Sequence, residues 1–278
     1  MPLVKLTEPS LLVELAIWSA ALDSEEVPVS ILLVGSPENG KSRCVLQFDS
    51  PWLKVFSAFT AWGLINRHFK LMSTVPAGEV WGRVLVVSDL TALLSHGSAV
   101  SDDIFKTLML YQTDGIRQIQ SFHTQFDMPR PLRGSVIAAC TTDQFQSQRK
   151  VWNKSGFTSR FLVISWRYDE DTLREISHQI WYPPENDFSK IKLPIPLMQK
   201  PVATPLNYEH LLEVMAKEYV ANLGLTQDAY GNRFREAMRR LVKAHALRRG
   251  SEVVEQIDIE RVAYLVEKYA NLKFNVPA

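Results

Sequence analysis

The feature that most constrains this chain is a glycine-bounded turn between two apolar segments. Residues 31–34, Ile-Leu-Leu-Val, run into Gly35-Ser36-Pro37-Glu38-Asn39-Gly40-Lys41-Ser42, and the stretch over 42–48 that follows predicts a helix. The eight residues match G-x-x-x-x-G-K-[ST] in full and stand in the strand–loop–helix setting that the motif requires. Glycine lets the backbone curl so that successive N–H groups face one point, which makes a concavity for phosphate oxygens. A lysine at this place reaches the β- and γ-phosphates, and the hydroxyl after it holds Mg²⁺. The candidate nucleotide contacts are therefore Gly35, Ser36, Pro37, Glu38, Asn39, Gly40, Lys41, Ser42 and Arg43, with ATP and Mg²⁺ as the expected ligands.

The rest of the pattern predicts an α/β chain. Short runs over 84–87, 135–139 and 161–166 are β-branched and apolar on both faces, as parallel strands covered by helices on each side should be. Helical patterns separate them, so the units read as βαβ. Helices are also expected near residues 9–22 and over 208–223, 233–248 and 257–272, with Asp258 helping to start the last. Six prolines between residues 182 and 206 remove backbone donors and argue against a helix there. The expected organisation is an α/β nucleotide-binding core over 1–181, a proline-rich linker or strap over 182–206, and a small all-helical domain over 207–278. With 46% hydrophobic residues in 278, the chain has the material for a packed core, and disorder as its main state is excluded. The formal net charge of +1 gives no global sign of an acidic partner, so any basic surface must be local.

A phosphate loop needs a second acidic group at the end of a neighbouring strand. Val84-Leu85-Val86-Val87-Ser88-Asp89 supplies Asp89 as the group holding Mg²⁺. The usual Asp-Glu pair is missing: either Asp89 takes the metal place and Leu90 stands where the general base belongs, or Asp89 takes the base place and Ser88 the metal place. Slow hydrolysis is expected either way, unless the water-polarising carboxylate comes from elsewhere.

Downstream, the strand over 135–139 ends in Cys140-Thr141-Thr142, Gly156-Phe157-Thr158-Ser159-Arg160-Phe161 follows, and Gly231-Asn232-Arg233 opens a basic helix. In this order, with a helical C-terminal domain, residues 10–275 resemble the AAA+ ATPases, and most closely the branch of the MCM replicative helicases. The resemblance implies a P-loop AAA+ core with a parallel sheet and a helical lid, assembled as a homo-oligomer, a hexamer-like ring or a filament. It also implies roles. Thr141 or Thr142 would position the attacking water, unless the threonine only satisfies a turn. Arg160 would be an arginine finger entering the neighbouring subunit's site, unless it makes a plain salt bridge. Arg233 would contact the γ-phosphate from the lid, unless it is a solvated helix arginine. In MCM-like relatives the region before the sensor strand carries pore-facing hairpins, so Arg117, His123, Arg130 and Arg133 become candidates for a nucleic-acid backbone, unless the segment is a plain surface hairpin.

Two further patterns carry alternatives. Arg233, Arg235, Arg239, Arg240, Lys243, Arg248 and Arg249 form a run opposed in sequence by Glu236 alone, read as a solvated face or as a surface for phosphates or a neighbouring subunit. Trp152, Phe157, Phe161, Trp166 and Tyr168 alternate with basic residues and read as core packing or as a base-stacking surface. The two cysteines and six histidines show no zinc or thiol-nucleophile spacing. Residues 11–22 carry Glu14 and run into acidic residues without a cleavage site, so neither a membrane span nor a signal peptide is expected and the compartment is read as cytoplasmic. The expected activity is DNA remodelling or translocation coupled to ATP hydrolysis. The alternatives are an ATP-dependent switch or scaffold that recruits a protein partner with weak turnover, and a protein-remodelling chaperone.

Overall fold

The computed structural model describes residues 6–23, 26–76, 78–79, 81–90, 93, 98–121, 124–181, 190–194, 198–205, 207–225 and 227–270. Its centre is a five-stranded parallel sheet flanked by helices, compatible with a Rossmann-like or P-loop fold. The strands are β1 (Ile31–Gly35), β3 (Leu53–Phe56), β4 (Val84–Val87), β7 (Ser135–Thr141) and β8 (Leu162–Ser165), in the order β3-β4-β7-β1-β8. Every residue of β1 and β4 is buried, because both sheet faces are covered. The strand carrying Asp89 is thus not the neighbour of β1, as the sequence suggested. β7 lies between them, pairing Val34 with Cys140 on one side and Val87 with Ala138 on the other.

The helices are α1 (Thr7–Ser19), α2 (Lys41–Leu46), α3 (Ala61–Gly63, Leu64–Phe69 and Lys70–Met72, with a π-helical middle), α4 (Ser98–Tyr111), α5 (Thr142–Ser155), α6 (Glu170–Trp181), α7 (Glu209–Leu223), α8 (Gln227–Arg248) and α9 (Gln256–Ala270). The helix expected from residue 233 begins six residues earlier, so Gly231 and Asn232 lie inside α8 and do not open it. Gly231 is buried there, where packing outweighs the roughly 1 kcal/mol that an interior glycine costs. β5 (Ile116–Ser121) and β6 (Thr124–Leu132) form an antiparallel hairpin just before β7. His123 lies outside the described residues.

One hydrophobic cluster runs from Leu6 of the entry to α1 through the sheet to Ala270, so α7, α8 and α9 share the core of the strands. Their junction is tied by Asp258, which is fully buried and accepts from Arg249 Nε at 2.8 Å, from Arg249 Nη2 at 2.9 Å and from the Glu255 N–H at 2.8 Å. His245 Nδ1 lies 2.6 Å away. Burial alone would raise the Asp258 carboxyl pKa, but these bonds outweigh it and hold the carboxyl below its usual range. The described part of the proline-rich segment is a strap and not a free linker. β9 (Ile191–Lys192) pairs in parallel with β2 (Phe48–Asp49), and single bridges join Leu22 to Lys200 and Ala203 to Val253.

The basic run of α8 is largely spent inside the chain. Arg239 reaches Glu209, Lys243 and Arg240 reach Glu26, Arg248 reaches Glu14, and Arg249 reaches Asp258. The sequence pattern hid these partners because most lie far away along the chain. The aromatic run is core: Phe157 contacts Trp152, Phe161 and Phe105 at centroid distances of 5.3, 4.9 and 4.7 Å.

Candidate functional site

The loop from Gly35 to Ser42 crowns the C-terminal end of β1, between the ends of β7 and β8. Its tip is locked to β8 by a reciprocal pair: Asn39 Nδ2 donates to the Trp166 carbonyl at 2.7 Å, and Trp166 Nε1 donates to the Asn39 carbonyl at 3.1 Å. Gly40 turns the chain into α2 at φ 72°, and a Cβ there would stand 2.8 Å from Leu6 Cδ1 and 2.9 Å from the Tyr168 hydroxyl. Glycine is required on both counts. Ser36, Pro37 and Glu38 are exposed, with Glu38 at φ 63°, while Asn39 is buried. Arg43 is half-buried on the first turn of α2.

Lys41 folds back over the loop, donating to the Gly35 carbonyl at 2.9 Å and to the Ser36 carbonyl at 2.5 Å. Burial holds its pKa below the ordinary lysine value, against the opposing pull of the Asp89 carboxylate. Asp89 is exposed just beyond β4, and the Ser42 hydroxyl lies 3.5 Å from the Ser88 carbonyl. Lysine, serine and aspartate from two separated strands therefore converge on one loop. Ser42 Oγ and the Asp89 carboxylate are hard oxygen donors, a set that fits Mg²⁺. Leu90, at the place of the missing glutamate, is fully buried and its N–H donates to the Ala139 carbonyl at 2.9 Å. Cys140 is also buried beside the loop, and burial pushes its thiol up to about 12, so it stays protonated and inert.

Thr141 sits at the C-terminal end of β7 and caps α5: its hydroxyl accepts from the Gln144 N–H at 3.3 Å, and Gln144 Oε1 accepts from the Thr141 N–H at 3.2 Å. This reciprocal capping box is the turn role left open by the sequence. Thr142 is the first residue of α5 and half-buried.

Arg160 and Arg233 lie elsewhere. Arg160 precedes β8, whose first residue pairs with Ile31, so it stands at the N-terminal end of the sheet. From there to the loop is on the order of 13 Å of strand alone. Arg160 Nη1 donates to the Gly156 carbonyl at 2.6 Å, and burial followed by the nearby Arg233 lowers its pKa while Asp114 works against them. Arg233 donates to Ser159 Oγ at 2.7 Å. The start of α8 packs on the 158–160 turn, so Arg233 stands away from its own chain's loop. In the hairpin region Arg117 is exposed, and Arg133 Nε donates to the Asp114 carbonyl at 3.3 Å.

Sequence reasoning missed Trp166 as the anchor of the loop and Gln112 as a buried amide near Arg160. Gln112 was findable. It stands one residue past α4 and four after Leu108, in line with the apolar stripe of that helix, where a polar side chain is out of pattern. The chain matches no protein-family model and no curated protein. Among the described residues no helix is long and apolar enough to cross a membrane.

Proposed function

We propose that this chain is an ATPase of the AAA+ type, of MCM-like pattern, that binds ATP at the Gly35–Ser42 loop and works as a homo-oligomer on DNA. The supporting observation is the division of the molecule. Lys41, Ser42 and Asp89 gather at one end of the sheet, and Arg160 with Arg233 at the other. A guanidinium so far from its own loop can meet a phosphate bound at such a loop only in another copy, which is what a ring or filament supplies. In this reading Lys41 leaves the loop carbonyls to meet the β- and γ-phosphates, while Ser42 and Asp89 hold Mg²⁺. Bound Mg²⁺ supplies charge neutralisation at the phosphate oxygens. Arg160 of the next copy offsets charge developing on the transferred phosphoryl, a task suited to a side chain that stays ionised and offers a planar fork of donors. α7, α8 and α9 are the lid, and the β5–β6 hairpin, with Arg117 exposed on it, is the segment offered to DNA.

A second reading is favoured by Leu90. With an apolar, buried residue beside Asp89, that strand end offers no second carboxylate to polarise water, as expected of a nucleotide-dependent switch that assembles and recruits a protein. The deciding experiment is steady-state ATP hydrolysis with and without single- and double-stranded DNA, together with assembly mass in ATP, for wild type and Lys41→Ala. A DNA motor gives an ATP-dependent oligomer whose turnover rises with DNA and falls at least about 1,000-fold in Lys41→Ala. Tight ATP binding and assembly with negligible turnover selects the switch. Full ATP binding and turnover in Lys41→Ala sinks both. DNA binding without a steep salt dependence would favour a protein-remodelling role instead.

A further inference from the structure

At the N-terminal ends of β1 and β8 lies a half-open pocket of about 310 Å³, lined by Gln112, Arg160, Tyr230, Arg233 and Phe234 and, on its charged side, by Arg240, Asp114 and Glu236. Gln112 is 4% exposed, and neither its Oε1 nor its Nε2 has a hydrogen-bond partner. An amide left in this way has given up its bonds to water with nothing in exchange. Arg160 Nε is likewise buried without a partner. After burial, the nearby Arg233 disfavours the Arg160 charge, with Asp114 working against both. The pocket thus brings together an unmet donor beside an unmet acceptor, three guanidinium groups against two carboxylates, and aromatic side chains, in a volume at the lower end of small-molecule sites.

We propose that this cavity is a second ligand site, distinct from the Gly35–Ser42 loop, for an adenine mononucleotide. Arg160 and Arg233 take the phosphate by charge-assisted hydrogen bonds. The Gln112 amide pairs with the adjacent donor and acceptor of the adenine edge, which a glutamine matches with two hydrogen bonds. Tyr230 and Phe234 provide apolar and aromatic surface for the ring. The inference does not depend on ATP binding at the loop. A phosphate held here would also offset the charge that Arg160 carries to a neighbouring copy, a consequence that does rest on the trans reading.

The test is calorimetric titration of adenosine 5′-monophosphate, adenosine and inorganic phosphate into wild type, Gln112→Leu, Arg233→Gln and Lys41→Ala. A monophosphate lacks the β- and γ-phosphates that Lys41 would reach, so the two sites separate. The expected result is one monophosphate per chain in both wild type and Lys41→Ala, with adenosine and phosphate each at least about tenfold weaker. Gln112→Leu should weaken the monophosphate at least about tenfold while its melting temperature holds or rises, since it removes an unpaired buried amide. If Gln112→Leu melts lower, Arg233→Gln, at an exposed position, must show the weakening instead. No monophosphate binding to wild type, loss of it in Lys41→Ala, or unchanged binding in both pocket variants overturns the proposal.

Discussion

The two ends of the central sheet are built differently. At the C-terminal end, the loop satisfies its own polar groups: Lys41 is bonded to two carbonyls, and Asn39 and Trp166 exchange two hydrogen bonds. At the N-terminal end, buried polar atoms are left over. Gln112 Oε1 and Nε2, Thr158 Oγ1, Arg160 Nε and His68 Nδ1 are all buried without partners. The N-terminal end thus gathers several unmet donors and acceptors, Gln112 and Arg160 among them, around one pocket. The lesson is that the motif-bearing end can be read as a site within one chain, whereas the arginine-bearing end calls for something from outside.

Arg160→Ala is the largest way to break this contrast. If the N-terminal end serves a neighbouring copy, turnover should fall about 1,000-fold with ATP binding retained. Mixing Arg160→Ala with Lys41→Ala should restore part of the activity, because some junctions then pair an intact loop with an intact Arg160. Mixtures no more active than the separate variants would remove the trans finger.

A second effect comes from His68. Its Nε2–H donates to the Gly82 carbonyl at 3.0 Å, leaving Nδ1 as the unpaired acceptor. Burial lowers its pKa to about 4 from 6.5, with the Gly82 bond working in the other direction. The unfolded chain therefore takes up this proton near pH 6.5 and the folded chain only near pH 4. The corresponding stability, about 3 kcal/mol, is complete above pH 6.5 and is lost as pH falls to about 4. Denaturant titrations from pH 7 to 4 should show this slope. In His68→Phe the slope should flatten, while stability at pH 7 drops by about 1 kcal/mol for the lost hydrogen bond. An unchanged slope would place the acid sensitivity elsewhere.

The smallest effect tests the self-contained end. Asn39→Ala removes one half of the Trp166 lock, about 1 kcal/mol, and should weaken ATP binding by about fivefold through a looser loop tip. Fluorescence titration with an ATP analogue measures it. Unchanged affinity would show that the lock stabilises the fold without shaping the loop.

Much of the first end was legible in advance. The loop motif, its strand and the aspartate after 84–87 follow from local pattern, because strand burial and glycine geometry are written within a few residues of each other. The helix boundary at 233 was misread, since Gly231 and Asn232 are punctuation in isolation and tolerated residues once α8 is buried. The strap was half legible: prolines excluded a helix, but pairing of 191–192 with 48–49 is a long-range contact. The fate of the α8 arginines was invisible for the same reason, with Glu26 and Glu14 more than 200 residues away along the chain.

What the sequence determined by itself was an α/β chain with buried strands and one phosphate-type loop, because those properties depend on neighbours in the chain. Only the tertiary structure decided that β7 separates the loop strand from the Asp89 strand. It alone decided that Thr141 spends its hydroxyl on a cap and that Arg233 stands with Arg160 and Gln112 at the far end. Strand order and helix docking are set by burial against distant residues, and sequence spacing carries no measure of that distance.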